Sequence, residues 1–143
     1  MRIQIVRLTE ALPEDFGCLR KEAVTEGWGH MDRLAAGWAE GPPAVQDGEA
    51  LMAAFVDGDF AGIGALTVEP AEPGVFRMRR FYVRQSFRGA GVGRALASVL
   101  MHEGLSRFPS LTVHAREKGA RAFWMAMGFR LDERSGWSHR YGP

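Results

Sequence analysis

Hydrophobic residues near the N-terminus first recur at every second position and then at helical spacing. The alternating set predicts a first strand and consists of Ile3, Ile5 and Leu8. Pro13 suits the first position of a helix, and the apolar residues around it with helical spacing are Leu12, Phe16, Leu19 and Ala23. After Gly27 and Gly29, a second helix is predicted around Met31, Leu34, Ala35 and Trp38. It should end at the sequence GPP, residues 41–43.

Apolar runs then alternate with turn sequences. ALMAAFV (50–56) and FAGIGALTV (60–68) are joined by Asp57-Gly58-Asp59, and Asp-Gly between apolar runs is a strong hairpin signal. The turn EPAEPG (69–74) leads into VFRMRRFYV (75–83), which is rich in strand formers. Within it, Phe76 and Met78 share one parity while Phe81 and Val83 share the other. This change of face predicts a β-bulge, although a merely twisted strand end would give the same pattern.

The C-terminal half continues with helices and strands in alternation. A long helix is predicted from about Gly91 to Phe108, and LTVHA (111–115) alternates as a strand. A helix over 118–127 ends at Gly128, and FRLD and WSHRY form two strands around Ser135-Gly136. The predicted order is β-α-α-β-β-β-α-β-α-β-β, which is typical of a mixed α/β layer fold.

Composition limits the class of protein. With 143 residues, 46% of them hydrophobic, residues 1–143 are expected to form one domain. The net charge of +1 gives no general attraction to nucleic acid or anionic membranes. The single Cys18 excludes an internal disulfide and a cysteine zinc cluster, and we expect it to be a small buried side chain. Four histidines without ligand spacing predict no metal site, and the absence of a long apolar run favours a cytoplasmic protein.

The glycine-rich sequence RGAGVG (88–93) stands between the arginine-rich strand and the long helix. Glycines at the start of a helix let an anion approach unpaired backbone N–H groups, so a phosphate is the expected ligand. The run lacks the Gly-Lys-Ser/Thr of a P-loop and the third glycine of a dinucleotide fingerprint. Six arginines and no acid in residues 75–94 would also suit nucleic acid, but a multiply phosphorylated small molecule fits the glycines better.

The pattern Arg88-x-x-Gly91-x-Gly93 resembles the pyrophosphate loop of the GNAT superfamily of N-acetyltransferases. RRFYVRQSFRGAGVGRALASVL also resembles the family's β4–loop–α3 block, and ARAFWMAMGF resembles its α4–β6 signature. The resemblance implies a mostly antiparallel mixed sheet with a splayed β4/β5 pair and helices on both faces. It further implies acetyl-CoA as cosubstrate and direct acetyl transfer to an amine of a small molecule, amino acid or peptide. A homodimer through the C-terminal strands, without nucleic-acid or membrane binding, is a further implication.

The resemblance also assigns cofactor-binding positions. The pyrophosphate loop would consist of Arg88, Gly89, Ala90, Gly91, Val92, Gly93 and Arg94. Phe81, Tyr82 and Val83 would bind the cofactor, and the backbone of Phe81 and Val83 would pair with the pantetheine arm and the acetyl carbonyl. Phe123 and Trp124 would pack near the thiol end.

Three positions depart from the family pattern. Trp124 stands where a tyrosine usually protonates the leaving thiolate, Arg77 where a glutamate often acts as base, and Glu117 where asparagine is common. Indole cannot act as an acid at ordinary pH, but a thiol with a pKa of about 8.5 leaves readily without one. His114 is a weak candidate base, and Tyr82, Tyr141 and His139 are undifferentiated proton donors. The catalytic acid and base are therefore not identified.

Candidate acceptor contacts are Trp28 and His30, in the sequence GWGH between the first two helices, together with Arg77. A cation at Arg77 would disfavour polyamines and favour an amine that also carries a carboxylate or phosphate, although a solvent-facing strand arginine is an equal alternative. The loss of the usual tyrosine and glutamate leaves a second interpretation open. In that interpretation the chain binds CoA or acetyl-CoA with little or no catalysis.

Overall fold

A computed structural model of the chain describes residues 1–43, 47–134 and 136–143. The strands are β1 (Ile3–Arg7), β2 (Ala50–Val56), β3 (Asp59–Val68), β4 (Phe76–Val83), β5 (Leu111–Val113), β6 (Arg130–Arg134) and β7 (Trp137–Tyr141). The helices are α1 (Phe16–Thr25), α2 (His30–Glu40), α3 (Val92–Leu105) and α4 (Lys118–Ala126). This order confirms the one predicted from the hydrophobic pattern.

The seven strands form one sheet in the order β1-β2-β3-β4-β5-β7-β6. All neighbouring strands are antiparallel except β4 and β5, which run parallel. One face packs against α3 and α4 through a core that includes Leu96, Leu100 and Trp124. The other face packs against α1 and α2 through Leu19 and Met31. The predicted fold class, a mostly antiparallel mixed sheet with helices on both faces, is confirmed.

The β2–β3 hairpin turns at Asp57 and Gly58, whose φ angles are 49° and 88°. Positive φ at both central residues matches the right-handed twist of the flanking strands, which explains the Asp-Gly sequence. The predicted hairpin is therefore confirmed. The other short turn, Ser135-Gly136, is described only at Gly136, because Ser135 lies outside the described residues.

A β-bulge interrupts β4 where the hydrophobic parity changes. Ala65 of β3 pairs with Arg79 and Ile63 pairs with Tyr82, so Gly64 alone stands opposite Arg80 and Phe81. Arg80 has a φ of 52°, which is rare for a residue with a side chain. A Cβ on Gly64 would lie 2.8 Å from the Phe81 ring, so glycine is needed opposite the bulge. The bulge predicted from the sequence is confirmed, and it keeps Phe81 and Val83 on the α3 face.

The parallel pair β4/β5 is splayed. Only Phe76, Arg77 and Met78 pair with β5, so residues 79–83 of β4 have no strand partner on that side. β5 itself ends at Val113, two residues before the predicted end of the LTVHA strand. The same divergence of the two strands explains both observations, because a strand cannot continue its ladder once its neighbour has moved away.

Two expectations near the N-terminus were wrong. Helix α1 begins at Phe16 rather than near Pro13, whose carbonyl instead accepts a turn hydrogen bond from the Phe16 N–H (2.9 Å). Cys18 is exposed rather than buried. The buried face of α1 is formed by Phe16, Leu19 and Ala23, and Cys18 lies one residue away from that stripe.

Candidate functional site

A groove of about 1020 Å³ opens where β4 and β5 diverge. Its walls are the bulged end of β4, the N-termini of α2 and α3, the segment after β5 and the first half of α4. Every predicted cofactor-binding residue except Ala90 lines this groove, as do the predicted acceptor residues Trp28, His30 and Arg77 and the candidate base His114. The fold thus brings together residues that lie more than 90 positions apart in the chain.

The N-terminus of α3 forms one wall. Gly91 is its N-cap with a φ of 85°, Gly89 has a φ of 80°, and no side chain caps the helix. The first N–H groups of a helix have no intrahelical partner, and the helix dipole adds partial positive charge there. A Cβ on Gly89 or Gly91 would meet no protein atom within 4 Å, so the space above the loop is open. These features fit a pyrophosphate.

Arg88 is directed away from this loop. Its guanidinium binds both carboxylate oxygens of Glu26, at 2.9 Å and 2.6 Å, and its Nε donates to the Val83 carbonyl at 2.9 Å. The Tyr82 hydroxyl also donates to Glu26, and the Arg88 guanidinium lies over the Tyr82 ring. The hydrogen bond from Arg88, with that from Tyr82, lowers the pKa of Glu26, so the carboxylate is charged at neutral pH. Arg88 therefore connects the loop to the end of α1.

Aromatic rings form the floor of the groove. The Trp124 ring lies 4.9 Å from the centroids of both Phe81 and Phe123 and 5.3 Å from that of Phe129. Trp124 is only 4% exposed, so its main role is to fill the core beneath the groove. Gly93 lies beside this cluster, where a Cβ would approach Phe123 to 3.2 Å. The floor offers an apolar surface to an extended ligand.

The open edge of β4 presents backbone groups to the groove. The Arg84 N–H donates to Ala61 of β3 (2.8 Å), and backbone groups alternate in direction along a strand, so those of Phe81 and Val83 point away from β3. The Phe81 carbonyl contacts His30 Nε2 at 3.1 Å, and the Val83 carbonyl accepts from Arg88. Both carbonyls of the predicted pantetheine-binding strand thus have side-chain partners.

His30 is placed between the rings of Trp28 and Tyr82, with centroid distances of 6.4 Å and 5.8 Å. A carbonyl oxygen only accepts hydrogen bonds, so His30 Nε2 must carry the proton in its contact with Phe81. Burial lowers the pKa of His30, and nearby Arg33 and Arg80 lower it further. The ring is therefore neutral at pH 7, and its buried Nδ1 has no hydrogen-bond partner among the described residues.

Arg77 is occupied by the protein itself. Its Nε lies 3.7 Å from a carboxylate oxygen of Glu69, and its guanidinium donates to the Gly136 carbonyl. Glu69 is 1% exposed and also accepts from the Thr112 hydroxyl at 3.0 Å. Arg77 therefore satisfies a buried carboxylate, which explains an arginine at this strand position.

His114 follows β5 and is exposed. Its Nε2 lies 3.0 Å from Arg116 Nε, and because arginine only donates, Nε2 is the acceptor in this contact. Desolvation lowers the pKa of His114, and the nearby Arg116 and Arg77 lower it further. The nitrogen that could accept a proton from a substrate thus already accepts a hydrogen bond from Arg116, so His114 is poorly placed to act as a base.

Glu117 is the N-cap of α4. Its carboxylate accepts from the N–H groups of Gly119 (2.8 Å) and Ala120 (3.0 Å), and these bonds lower its pKa. Among the described residues that line the groove, seven are arginines and Glu117 is the one carboxylate. The groove therefore has a strongly positive potential, as a polyanionic ligand requires.

Within the described segments, no group of three or more His, Cys, Asp and Glu side chains is arranged to hold a metal ion. No helix there is long and apolar enough to cross a membrane. Sequence reasoning missed the contacts from His30 to Phe81 and from Glu26 to Arg88. These pairs are 51 and 62 residues apart, and no local pattern marks either of them.

A family model described as "Acetyltransferase (GNAT) family" matches residues 8–129. No curated protein matches the chain in sequence. Among solved structures, a candidate acetyltransferase from Exiguobacterium sp. 255-15 has a TM-score of 0.86 with 22% identity, over 99% of this chain and 94% of that one.

Two further structures contain ligands. A GNAT family acetyltransferase from Elizabethkingia anophelis with acetyl-CoA bound has a TM-score of 0.68 and 13% identity, over 99% of this chain and 98% of that chain. AAC(6')-Iy in complex with a bisubstrate analog, CoA-S-monomethyl-acetylneamine, has a TM-score of 0.69 and 20% identity, over 94% and 95%. At these identities the likeness concerns the fold.

Proposed function

The chain belongs to the GNAT family of acetyltransferases, and we propose that it transfers the acetyl group of acetyl-CoA to a primary amine of a small molecule, amino acid or peptide. The observation that carries the proposal is the groove between the splayed strands, where an uncapped helix N-terminus faces the bulged edge of β4. The neighbour with acetyl-CoA bound and the neighbour with a bisubstrate analog support it by analogy of fold.

The residues present fit acetyl-CoA. The N–H groups of Val92, Gly93 and Arg94 would hold its pyrophosphate, since they have no intrahelical partners and open space lies above Gly91. The edge of β4 at Phe81 and Val83 would hold the pantetheine arm. Acetyl-CoA would supply a thioester, whose acetyl group would pass to the neutral amine as the N–C bond forms and the C–S bond breaks. The amine would lose one proton to solvent, and CoA would leave as thiolate and take up a proton from solvent.

The protein's own contribution is positioning and electrostatics. Trp124 donates no proton at ordinary pH, Arg77 is bound to Glu69, and His114 Nε2 is engaged by Arg116. Orientation of two reactants and preorganised backbone N–H donors account for much of enzymatic rate enhancement, whereas a general acid or base adds about 10²–10⁴-fold. The proposed reaction therefore proceeds without the acid and base that stand at these positions in many relatives.

The same observation supports a second candidate. A groove that binds CoA or acetyl-CoA without a proton donor at Trp124 could serve as a ligand-sensing module with little or no catalysis. The two candidates differ in one respect only, which is whether free CoA is produced when an amine is added.

The experiment is a screen of primary amines with acetyl-CoA, in which free thiol is measured and the acetylated product is identified by mass. Thiol release that depends on both the protein and an amine is the expected result. If acetyl-CoA binds tightly but no amine in a broad panel causes thiol release, the sensing module replaces the enzyme. If acetyl-CoA does not bind, both candidates fail.

A further inference from the structure

Three arginines, Arg33, Arg79 and Arg80, line the groove beside α2, and we refer to them as the arginine cluster. Arg33 lies on α2, while Arg79 and Arg80 belong to β4 at the bulge. Within the described part of the chain, none of their guanidinium groups has a hydrogen bond or an ion pair with a carboxylate. The charges of Glu69 and Glu49 act on Arg79 at longer range, whereas the charges that act on Arg80 within the described segments are those of Arg79, Arg33 and Arg77.

Arginines close to the cluster are paired. Arg77 pairs with Glu69, Arg84 with Glu22 at 2.6 Å and Arg140 with Glu72 at 2.8 Å. Arg77 of β4, Arg84 just after β4 and Arg140 of β7 thus each have a carboxylate partner, whereas the described residues supply none to the cluster. Arg79 and Arg80 are partly buried and Arg33 is exposed, so the positive charges lie close together with limited hydration. Such a group is unfavourable on its own and becomes favourable when a ligand supplies negative charge.

The lowered pKa of Arg80 shows that its positive charge is destabilised in the cluster. Burial, followed by the charges of Arg79, Arg33 and Arg77, lowers the pKa of Arg80 to about 10. Its side chain has therefore lost water without gaining a counter-charge. Its backbone is also held at a φ of 52°, a conformation that persists in residues with side chains only where the surroundings impose it.

We propose that the arginine cluster binds a carboxylate or phosphate of the acceptor, so that the acceptors of this protein are amines that carry an acidic group. The inference rests on the proposed acetyl transfer and names the substrate class of the same groove. It moves the acidic-amine hypothesis from Arg77, which is bound to Glu69, to three guanidinium groups that have no carboxylate partner among the described residues. Guanidinium forms two parallel hydrogen bonds with either oxyanion, which also gives orientation.

The cluster has a second consequence for the same acceptor. A positive potential disfavours an ammonium ion, so it lowers the pKa of the bound amine and increases the neutral, nucleophilic form. The charged and titratable groups that face this part of the groove are His30, Arg33, Arg77, Arg79, Arg80, Tyr82, His114, Arg116 and Glu117, and the carboxylates of Glu69 and Glu49 act on Arg79 from outside the groove lining. Both histidines are neutral at pH 7 because their pKa values are lowered, and the Glu117 carboxylate is committed to its helix cap. The net potential is therefore positive.

The test compares amines that differ only in the acidic group. Phosphoethanolamine is compared with ethanolamine, and β-alanine with propylamine, while spermidine serves as a polycation. We expect kcat/KM to be roughly 10- to 100-fold higher for the acidic member of each pair, the range expected for a charge-assisted hydrogen bond. Binding of phosphoethanolamine to the CoA-bound protein is measured by calorimetry as a readout independent of turnover.

Arg80→Gln and Arg33→Gln are the informative variants, and Arg2→Gln is the matched control. Arg33 is exposed on α2, so its replacement preserves the fold even if the bulge does not tolerate a change at Arg80. Arg2 is an exposed arginine outside the groove, and its loss changes the net charge equally. The cluster variants should lose the preference for acidic amines and the calorimetric affinity for phosphoethanolamine, while their affinity for acetyl-CoA stays unchanged.

The outcomes separate this inference from the function on which it rests. A preference for ethanolamine or spermidine overturns the inference and leaves acetyl transfer intact. The same holds if Arg33→Gln and Arg80→Gln weaken acetyl-CoA binding instead of acceptor binding, because the cluster would then serve a phosphate of CoA. If no amine is acetylated, calorimetry still decides the point, and equal phosphoethanolamine affinity in wild type and both variants overturns it.

Discussion

Arg88, the first residue of the glycine-rich motif, binds Glu26 with two parallel hydrogen bonds of 2.9 Å and 2.6 Å. The pair joins the pyrophosphate loop to the end of α1, and the Tyr82 hydroxyl completes it from the strand. The side chain of the motif arginine is thus bound to Glu26 and to the Val83 carbonyl. The backbone N–H groups at the start of α3 then remain as the proposed anion-binding groups.

Replacing Glu26 with glutamine should lower the free energy of unfolding at pH 7 by up to about 1 kcal/mol. The side chains of this pair are 42% and 28% exposed, and solvent screens such pairs. Arg88 and Tyr82 lower the pKa of Glu26 below its usual 4.5, so the stabilisation is present above pH 4.5 and is lost as the pH falls through the lowered value. Urea unfolding of the wild type and Glu26→Gln at pH 7 and pH 3 measures the stability difference and its loss at low pH. Equal stability of the two proteins at pH 7 would mean that the pair contributes nothing.

Gly91→Ala should weaken acetyl-CoA binding by roughly tenfold or more. Alanine disfavours the positive φ of the N-cap, so the N–H groups at the start of α3 would shift and no longer reach the pyrophosphate. Gly58→Ala is the matched control. Both glycines have open space around them and similar φ angles, 85° and 88°, so alanine should cost each about 1–2 kcal/mol in stability. Calorimetric titration with acetyl-CoA separates the effects. If Gly58→Ala loses as much affinity for acetyl-CoA as Gly91→Ala does, the loss is due to general destabilisation.

Trp124→Ala should destabilise the protein by about 3–5 kcal/mol, since it empties a buried site within an aromatic cluster. Trp124→Phe keeps a ring there and should keep kcat within a few-fold, because indole is not the catalytic acid. Thermal unfolding and steady-state kinetics are the two measurements. A loss of kcat of more than about 100-fold in a well-folded Trp124→Phe protein would assign the indole a direct role in the reaction.

Arg80→Gln should shift the acidic limb of the kcat–pH profile to higher pH. The limb reports the ammonium of the bound acceptor, whose pKa rises when a nearby positive charge is removed. The measurement is kcat against pH with saturating β-alanine, and Arg2→Gln should leave the profile in place. If the acidic limb of the Arg80→Gln profile is unchanged or moves to lower pH, the cluster does not lower the pKa of the bound amine.

The hydrophobic pattern predicted the fold because its information is local. The element order follows from periodicity, the hairpin from Asp57-Gly58, and the bulge from the change of parity between Met78 and Phe81. Boundaries were less accurate where tertiary contacts decide them. β5 ends at Val113 because its neighbour diverges, and α1 begins at Phe16 because Pro13 is used in the preceding turn.

The site could be predicted only in part for the same reason. RGAGVG alone predicts an anion-binding loop, and the structure shows that most of the predicted site residues line one groove. Which arginines are paired depends on distant carboxylates, as with Glu69 for Arg77 and Glu26 for Arg88. The sequence offered Arg77 as a candidate acceptor contact, with a solvent-facing arginine as the alternative, whereas the structure leaves Arg33, Arg79 and Arg80 unpaired in its described part.

The central claim is that the groove beside the α3 N-terminus is an acetyl-CoA site, and thermal unfolding with saturating acetyl-CoA tests it most directly. At about 100 times Kd, selective binding to the folded protein adds about 2.7 kcal/mol, which for this chain length raises Tm by roughly 5–11 °C. We predict such a rise for the wild type and a clearly smaller one for Gly91→Ala at the same ligand concentration. An unchanged wild-type Tm at millimolar acetyl-CoA would contradict the account.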